Sequence, residues 1–159
     1  MRSPYGLSLI ELVVVLAVLG VLLALGLPRL NPDRQAVNQA AQGLAQQVTR
    51  ARFEAIRRNE LVGLWLQIGG AGGFALFVDA NRNGSYDAGE PIIHRVTFGA
   101  GDWGRVRLQS VSGSSTLVFD TRGIPRDWVQ TTVTLSNRAG TYTRNVQISP
   151  QGRAQVAQP

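Results

Sequence analysis

Cysteine and lysine are absent from this chain, and histidine and methionine occur once each. Without cysteine there are no disulfides, no thiolate metal ligands and no thiol nucleophile. The one histidine, His94, sits in an apolar strand-like run, Ile92-Ile93-His94-Arg95, and no serine near it shows the base-and-orienter pattern of nucleophilic catalysis. Asp102, Asp120 and Asp127 stand alone in turn-like stretches. Catalysis therefore has no constellation to rest on, and no enzymatic role is assigned. Acids are also scarce: ten against sixteen basic residues, all of them arginine, which gives 159 residues a formal net charge of +6. A basic balance suits contact with polyanions, but by itself it argues for solubility and steering rather than for a partner.

A second scarcity is local. From Leu7 to Leu27 the only polar side chains are Ser8 and Glu11. About twenty apolar residues at ~1.5 Å rise each cross the hydrocarbon core of a bilayer. A carboxylate in such a span costs roughly 2.5–3.5 kcal/mol on insertion scales, so it calls for a partner or a function. No cation lies within the run. Cutting the chain after Gly6 would expose an amine on Leu7, four residues before Glu11, able to answer its own Glu11 or that of a neighbouring subunit. A secretory signal ending near Ala24-Leu25-Gly26, or a plain membrane anchor, would use the same aliphatic residues, yet neither calls for Glu11.

The order of these features resembles the type IV prepilin signal: a short leader with Arg2, Gly6 at its end, an apolar Leu7, an acid at the fifth position after the cut, an aliphatic helix, and Pro28 at the twenty-second. Leu7 departs from the Phe most common there. The resemblance implies cleavage between Gly6 and Leu7 by a prepilin peptidase and methylation of the Leu7 nitrogen. It also implies a single pass through a bacterial inner membrane with the globular part in the periplasm. Loss of the leader would lower the net charge by one, since Arg2 leaves with no acid.

Four segments follow from the pattern. Residues 1–6 are a cleaved leader, 7–30 the membrane or fibre-core half of a helix, 31–60 its amphipathic half, and 61–159 a globular β domain. Pro28 and Pro32 each remove an amide donor, so a bend is expected at Pro28, with Asn31 or Asp33 capping the resumed helix. Val37, Ala41, Leu44, Val48, Ala51 and Ala55 recur at spacings of three and four, the signature of one buried helical stripe. Gln35, Gln39, Gln42, Gln46 and Arg50 occupy the other side. Arg50, Glu54 and Arg58 offer two ion pairs at spacing four.

Beyond Asn59 the period falls to two. Strands are expected at Val62–Ile68, Phe74–Val78, Ile92–Phe98, Arg105–Ser110, Thr116–Phe119, Gln130–Ser136, Tyr142–Ile148 and Arg153–Val156, an antiparallel set by its short, regular spacing. The Gly69–Gly73 cluster reads as a hairpin turn; it lacks the Lys-Ser/Thr of a phosphate loop. The expected class is α+β, a long N-terminal helix packed on a C-terminal antiparallel β-sheet domain. In that order the segments Arg50–Asn59, Phe77–Gly84, Phe119–Gly123 and Val146–Arg153 are similar to the GspH/FimT family of minor pilins and pseudopilins. The resemblance implies a subunit of a type IV pilus or of a type II secretion pseudopilus. Its implied partners are other pilins through the N-terminal helix, the prepilin peptidase and an inner-membrane assembly platform. The alternative it offers is a pilus-tip DNA receptor for natural transformation.

Two stretches carry further chemistry. Asp79, Asn81, Asn83, Ser85, Asp87 and Glu90, with Gly84 at the turn, have the spacing of an EF-hand calcium loop, although strands rather than helices flank them. An Asx-rich connection between strands would use the same residues. No cofactor is required, and Ca2+ is the one this spacing offers. For double-stranded DNA, Gly104-Arg105-Val106-Arg107 would project Arg105 and Arg107 from one face of a strand, with Trp103 able to stack on bases and Arg95 nearby. Some GspH/FimT members resemble DNA receptors with a C-terminal Gly-Arg-x-Arg run, which maps to Gly152-Arg153-Ala154-Gln155 and so retains only Arg153. The plain alternative is that these arginines are solvated on an outer sheet face.

Overall fold

The computed structural model describes residues 8–26, 31–126 and 129–157, with backbone alone at 23–26. Gly6, Leu7 and Pro28 lie outside the described residues, and so do the expectations of cleavage, methylation and a helix bend placed on them. The chain divides into two units, residues 1–31 and 32–159.

In the first unit, α1 spans Leu9–Gly26. Ser8 precedes it, and the Ser8 Oγ accepts the Glu11 backbone N–H at 3.2 Å, which satisfies one of the donors left over at a helix start. The side chains from Leu9 to Leu22 are exposed on all sides of the helix. Among the described residues no helix is long and apolar enough to cross a membrane. The 18 residues of α1 would span about 27 Å at 1.5 Å per residue. The apolar run in the sequence is longer than α1, with Leu7 and Leu27 outside the described residues.

The second unit is built on α2, Pro32–Arg58. Proline at the first helical position lacks only an N–H that would have had no partner there, and Asn31 immediately precedes it. The expected stripe is the buried face: Val37, Ala41, Leu44, Val48, Ala51 and Ala55 are each fully buried, and Ala40 joins them. Gln35, Gln39, Gln42, Gln46 and Arg50 are exposed. One expected ion pair is different. Glu54 Oε2 accepts from Arg57 at 2.6 Å and Arg58 at 2.8 Å rather than from Arg50. An acid N-terminal to its base is the better orientation on a helix, and Arg50 has the reverse one.

Eight strands follow: β1 Val62–Gln67, β2 Gly73–Val78, β3 Ile92–Thr97, β4 Val106–Ser112, β5 Thr116–Phe119, β6 Thr131–Asn137, β7 Thr143–Ile148 and β8 Ala154–Ala157. All pairings are antiparallel, but they form two four-stranded sheets rather than one, ordered β3-β2-β1-β5 and β4-β6-β7-β8. Both sheets contribute strands to the α2 contact. Val62, Leu64, Leu66, Phe74 and Leu76 of the first sheet and Val106, Leu108, Val133, Leu135, Val146 and Ile148 of the second meet the α2 stripe in one core. On the other face of the first sheet, Gly63 of β1 lies opposite Phe77 of β2, and a side chain at Gly63 would run into the Phe77 ring. Gly152, in the tight turn before β8, combines a φ of 73° with close approach to the Phe119 and Pro125 side chains. Glycine serves there on both counts.

Candidate functional site

Three regions bear on function, and the first is the start of α1. Ser8-Leu9-Ile10-Glu11 has the spacing of a capping box, serine before the helix and an acid three residues on. Glu11 stands in the first turn, where a negative charge is favoured by the helix dipole. The carboxylate thus has a local place in addition to any partner from another chain. The S-x-x-E spelling was legible in the sequence and would have revealed it.

The second region is the connection between β2 and β3. Asp79 is buried, and its two carboxylate oxygens accept the N–H groups of Asn83 at 3.1 Å and Gly84 at 3.0 Å. Asn81 Oδ1 accepts the Asn83 N–H, Asn83 Oδ1 accepts the Ser85 N–H, and both asparagine amides donate to Asp87 Oδ2, at 2.7 and 2.6 Å. Glu90 closes the loop by accepting the N–H groups of Ala80 and Asp87. Tyr86 anchors it, stacked on Trp65 at 4.7 Å and edge-on to Phe77 at 5.2 Å, so the loop covers the outer face of the first sheet. Among the described residues no group of three or more His, Asp or Glu is placed to hold a metal ion. In this arrangement the Asn81 and Asn83 amides satisfy Asp87 Oδ2 from within the loop.

The third region is the arginines. The chain alternates as expected through the start of β4: Val106 and Leu108 point into the core while Arg105 and Arg107 are exposed. Arg105 Nη1 pairs with Asp33 Oδ1 of α2 at 2.8 Å, and Asn137 Nδ2 donates to Asp33 Oδ2 at 3.4 Å. These two contacts, Arg105 first, hold the Asp33 carboxyl below its ordinary range. Arg138, in the β6–β7 turn, lines an open depression of about 530 Å3 with Asp33, Gly104 and Arg105. Arg144 Nε donates to Asn38 Oδ1 at 2.7 Å, and the guanidinium groups of Arg34 and Arg144 lie 5.2 and 5.0 Å from the Tyr142 ring centroid.

Arg153 is elsewhere. It lines a depression with Thr49, Arg52, Phe53 and Ile56, in the C-terminal half of α2. Asp33 and Thr49 are about 24 Å apart along the helix axis at 1.5 Å per residue, so Arg105 and Arg153 do not form one site. Trp103 is half-buried, edge-on to Phe98 at 6.3 Å and packed on the core, not a free platform for bases. Arg95 belongs to the other sheet, where its Nη2 donates to the Tyr86 hydroxyl. His94 is a half-buried strand residue whose ring lies 6.3 Å from that of Phe74. Sequence reasoning did not single out Arg34, on α2, Arg144, on β7, or Arg138, which the β4–β6 pairing brings beside Arg105.

This helix-on-two-sheets domain coincides with a family match. The model of the family described as Type II transport protein GspH matches residues 40–152. The chain belongs to the GspH family. A second model, the prokaryotic N-terminal methylation motif, matches residues 1–27. The pilin-like protein PilA1 of Thermus thermophilus is 53% identical over 154 residues, covering 95% of this chain and 97% of that protein. Two crystal structures of the type IV minor pilin FimU of Pseudomonas aeruginosa have the same fold. One superposes with a TM-score of 0.55 at 21% identity, covering 78% of this chain and 90% of FimU. The other does so at 0.53 and 20%, covering 76% and 91%. The chain is thus of the type IV minor pilin and pseudopilin kind, a GspH-family domain behind a methylation-motif N-terminus. The family and fold are those of structural subunits rather than of enzymes.

Proposed function

We propose that this pilin subunit is stored in the inner membrane by residues 7–27, cut between Gly6 and Leu7, methylated on Leu7 and then built into a type IV pilus. The observation that carries the reading is α1: a helix apolar on all its described sides, with one acid in its first turn, inside the segment that matches the methylation motif. A helix of that kind is stable only when covered all round, by lipid or by the helices of other subunits. Glu11 answers the amino terminus of a neighbouring subunit and sets the axial register. A pilus is favoured over a secretion pseudopilus by the pilin-like relative at 53% identity.

Co-expression of the full chain with a prepilin peptidase, followed by mass spectrometry of the N-terminal peptide, tests the reading. The expected product begins with methylated Leu7. Retention of residues 1–6, or cleavage near Gly26, overturns it. The DNA-receptor alternative keeps one supporting observation, Arg105 and Arg107 exposed at the start of β4. Its signature is retardation of duplex DNA that weakens as salt rises.

A further inference from the structure

The arginines of the described residues are unevenly neutralised. Toward the C-terminal end of α2, Arg57 and Arg58 share Glu54, and in the turn after β5 Arg122 pairs with Asp120. Toward the N-terminal end of α2, five arginines lie at four places, Arg107 on the outer face of its sheet. Arg34 is on the helix itself, Arg105 and Arg107 are at the start of β4, Arg138 is in the β6–β7 turn, and Arg144 is on β7. Contacts with Asp33, Asn38 and Tyr142 fix three of them, Arg105, Arg34 and Arg144. Arg107 lies opposite Ser136, two residues before Arg138, and both are exposed. Among the described residues the acids there are Asp33, already paired, and Asp102 in the short turn Gly101–Trp103. Among the described residues, five arginines and two acids thus lie at this end of the domain, where a depression of about 530 Å3 lined by Asp33, Arg105 and Arg138 is open to solvent.

We propose that this collar binds the headgroup phosphates of an anionic phospholipid surface, steadying the domain against the membrane while the subunit waits for assembly. Guanidinium forks match phosphate oxygens in pairs, so arginine suits this task better than a point charge would. The position favours lipid over other polyanions. The apolar run ends at Leu27 and α2 starts at Pro32, so the collar residues on and beside the first turns of α2 are close in sequence to the proposed anchor. The inference rests on reading residues 7–27 as that anchor.

The test uses residues 31–159, which contain the whole buried core and form a compact unit of their own. Because this piece lacks the apolar run, its failure to bind would leave the anchor reading, tested by N-terminal mass spectrometry, standing. Cosedimentation is measured with vesicles of pure phosphatidylcholine and with vesicles carrying phosphatidylglycerol. Binding is expected to the second alone and to fade with salt. Arg107→Gln with Arg138→Gln should lower it about 30-fold, at about 1 kcal/mol per arginine near an anionic surface and 1.4 kcal/mol per decade. Arg57→Gln with Arg122→Gln removes the same charge far from the collar and should leave binding nearly unchanged. No binding to phosphatidylglycerol, or equal losses in the two double variants, overturns the proposal. So does release of the bound protein by duplex DNA at equal phosphate concentration, which would assign the surface to nucleic acid.

Discussion

The Phe77 ring of β2 occupies the space in front of Gly63 on β1, where any side chain at Gly63 would begin. Phe77 is fully buried, and Tyr86 holds its other side edge-on at 5.2 Å, so the ring has little room to turn away. Gly63→Ala should therefore destabilise the domain by about 1–3 kcal/mol, the cost of overpacking a filled core. Thermal unfolding checks this, with about 3–5 °C expected per kcal/mol for a domain of this size. An unchanged melting temperature would mean that the Phe77 ring is free to move.

Asp79 is the keystone of the loop that brings Tyr86 to that ring. Replacing it by alanine strands the Gly84 N–H and leaves the Asn83 N–H to Asn81 Oδ1 alone, at a cost of about 1–3 kcal/mol. Because the loop's own donors fill the oxygens, the loss should be the same with and without EDTA. Calorimetric titration of the wild type with Ca2+ gives the opposing outcome its chance: saturable heat that Asp79→Ala abolishes would show that the asparagine amides yield to the ion.

Gln47 offers a substitution in the favourable direction. Its Oε1 is buried and has no hydrogen-bond partner, at the edge of an apolar cavity of about 220 Å3 lined by Phe74, Phe98 and Trp103. An unmet buried acceptor costs about 1–3 kcal/mol, and methionine keeps the shape without the acceptor. Gln47→Met should raise the denaturant midpoint by roughly 1 kcal/mol of stability at unchanged slope. A lower midpoint would show that the amide finds a partner in solution.

These cases mark where the sequence was readable. The α2 stripe and all eight strands announced themselves because the apolar period switches from 3.6 to two near Asn59, and burial enforces both periods. The division into two sheets was not legible. β5 joins β1 across the intervening β2, β3 and β4, and nothing local to Thr116–Phe119 encodes that partner. The same limit split the arginine site. The Gly-Arg-x-Arg spelling names Arg105 and Arg107, both exposed at the start of β4, but Arg153 lies at another depression, and Arg138 comes beside Arg105 only through strand pairing. Trp103 looked available in sequence because its contact, Phe98, is brought edge-on by a short turn that follows no period.

Three carboxyls set the acid limit of the domain. Asp33 is held below its ordinary value of 3.8 by Arg105 and then Asn137, and Glu54 below 4.5 by Arg58 and then Arg57. For Asp120 burial pushes upward, but the Ile124 N–H and the Arg122 side chain outweigh it and hold the group below 3.8. A carboxyl whose folded value is depressed contributes stability above its unfolded value and loses it as pH falls through the folded one. Melting temperature should thus be flat from neutrality to about pH 5 and decline below about pH 4.5, near the unfolded carboxylate values. Asp120→Asn should shrink the decline more than Asp33→Asn, since Asp120 is the less exposed of the two and secures its turn through the Arg122 and Ile124 amides. Equal acid profiles for wild type and Asp120→Asn would count against this assignment.

Glu11 has two candidate employments, and one pair of substitutions separates them. At the acid position of a capping-box spacing in the first turn of α1 it would help start the helix, a task worth about 1 kcal/mol that glutamine would perform nearly as well as glutamate. As the charge partner of a neighbouring amino terminus it must be ionised, and glutamine fails there, because one half of a desolvated pair leaves the other half uncompensated. Both variants should stay in the membrane fraction, since removing an acid from an apolar run makes insertion easier. If the charge is what the fibre uses, Glu11→Gln and Glu11→Ala will both be excluded from fibres in immunoblots of sheared pili. If capping is the whole of its work, Glu11→Gln will assemble like the wild type and only Glu11→Ala will fall behind. The expected result is exclusion of both, with an Arg or Lys at the same position no better. The missing element would be a negative charge at that place and not a polar group of the right length.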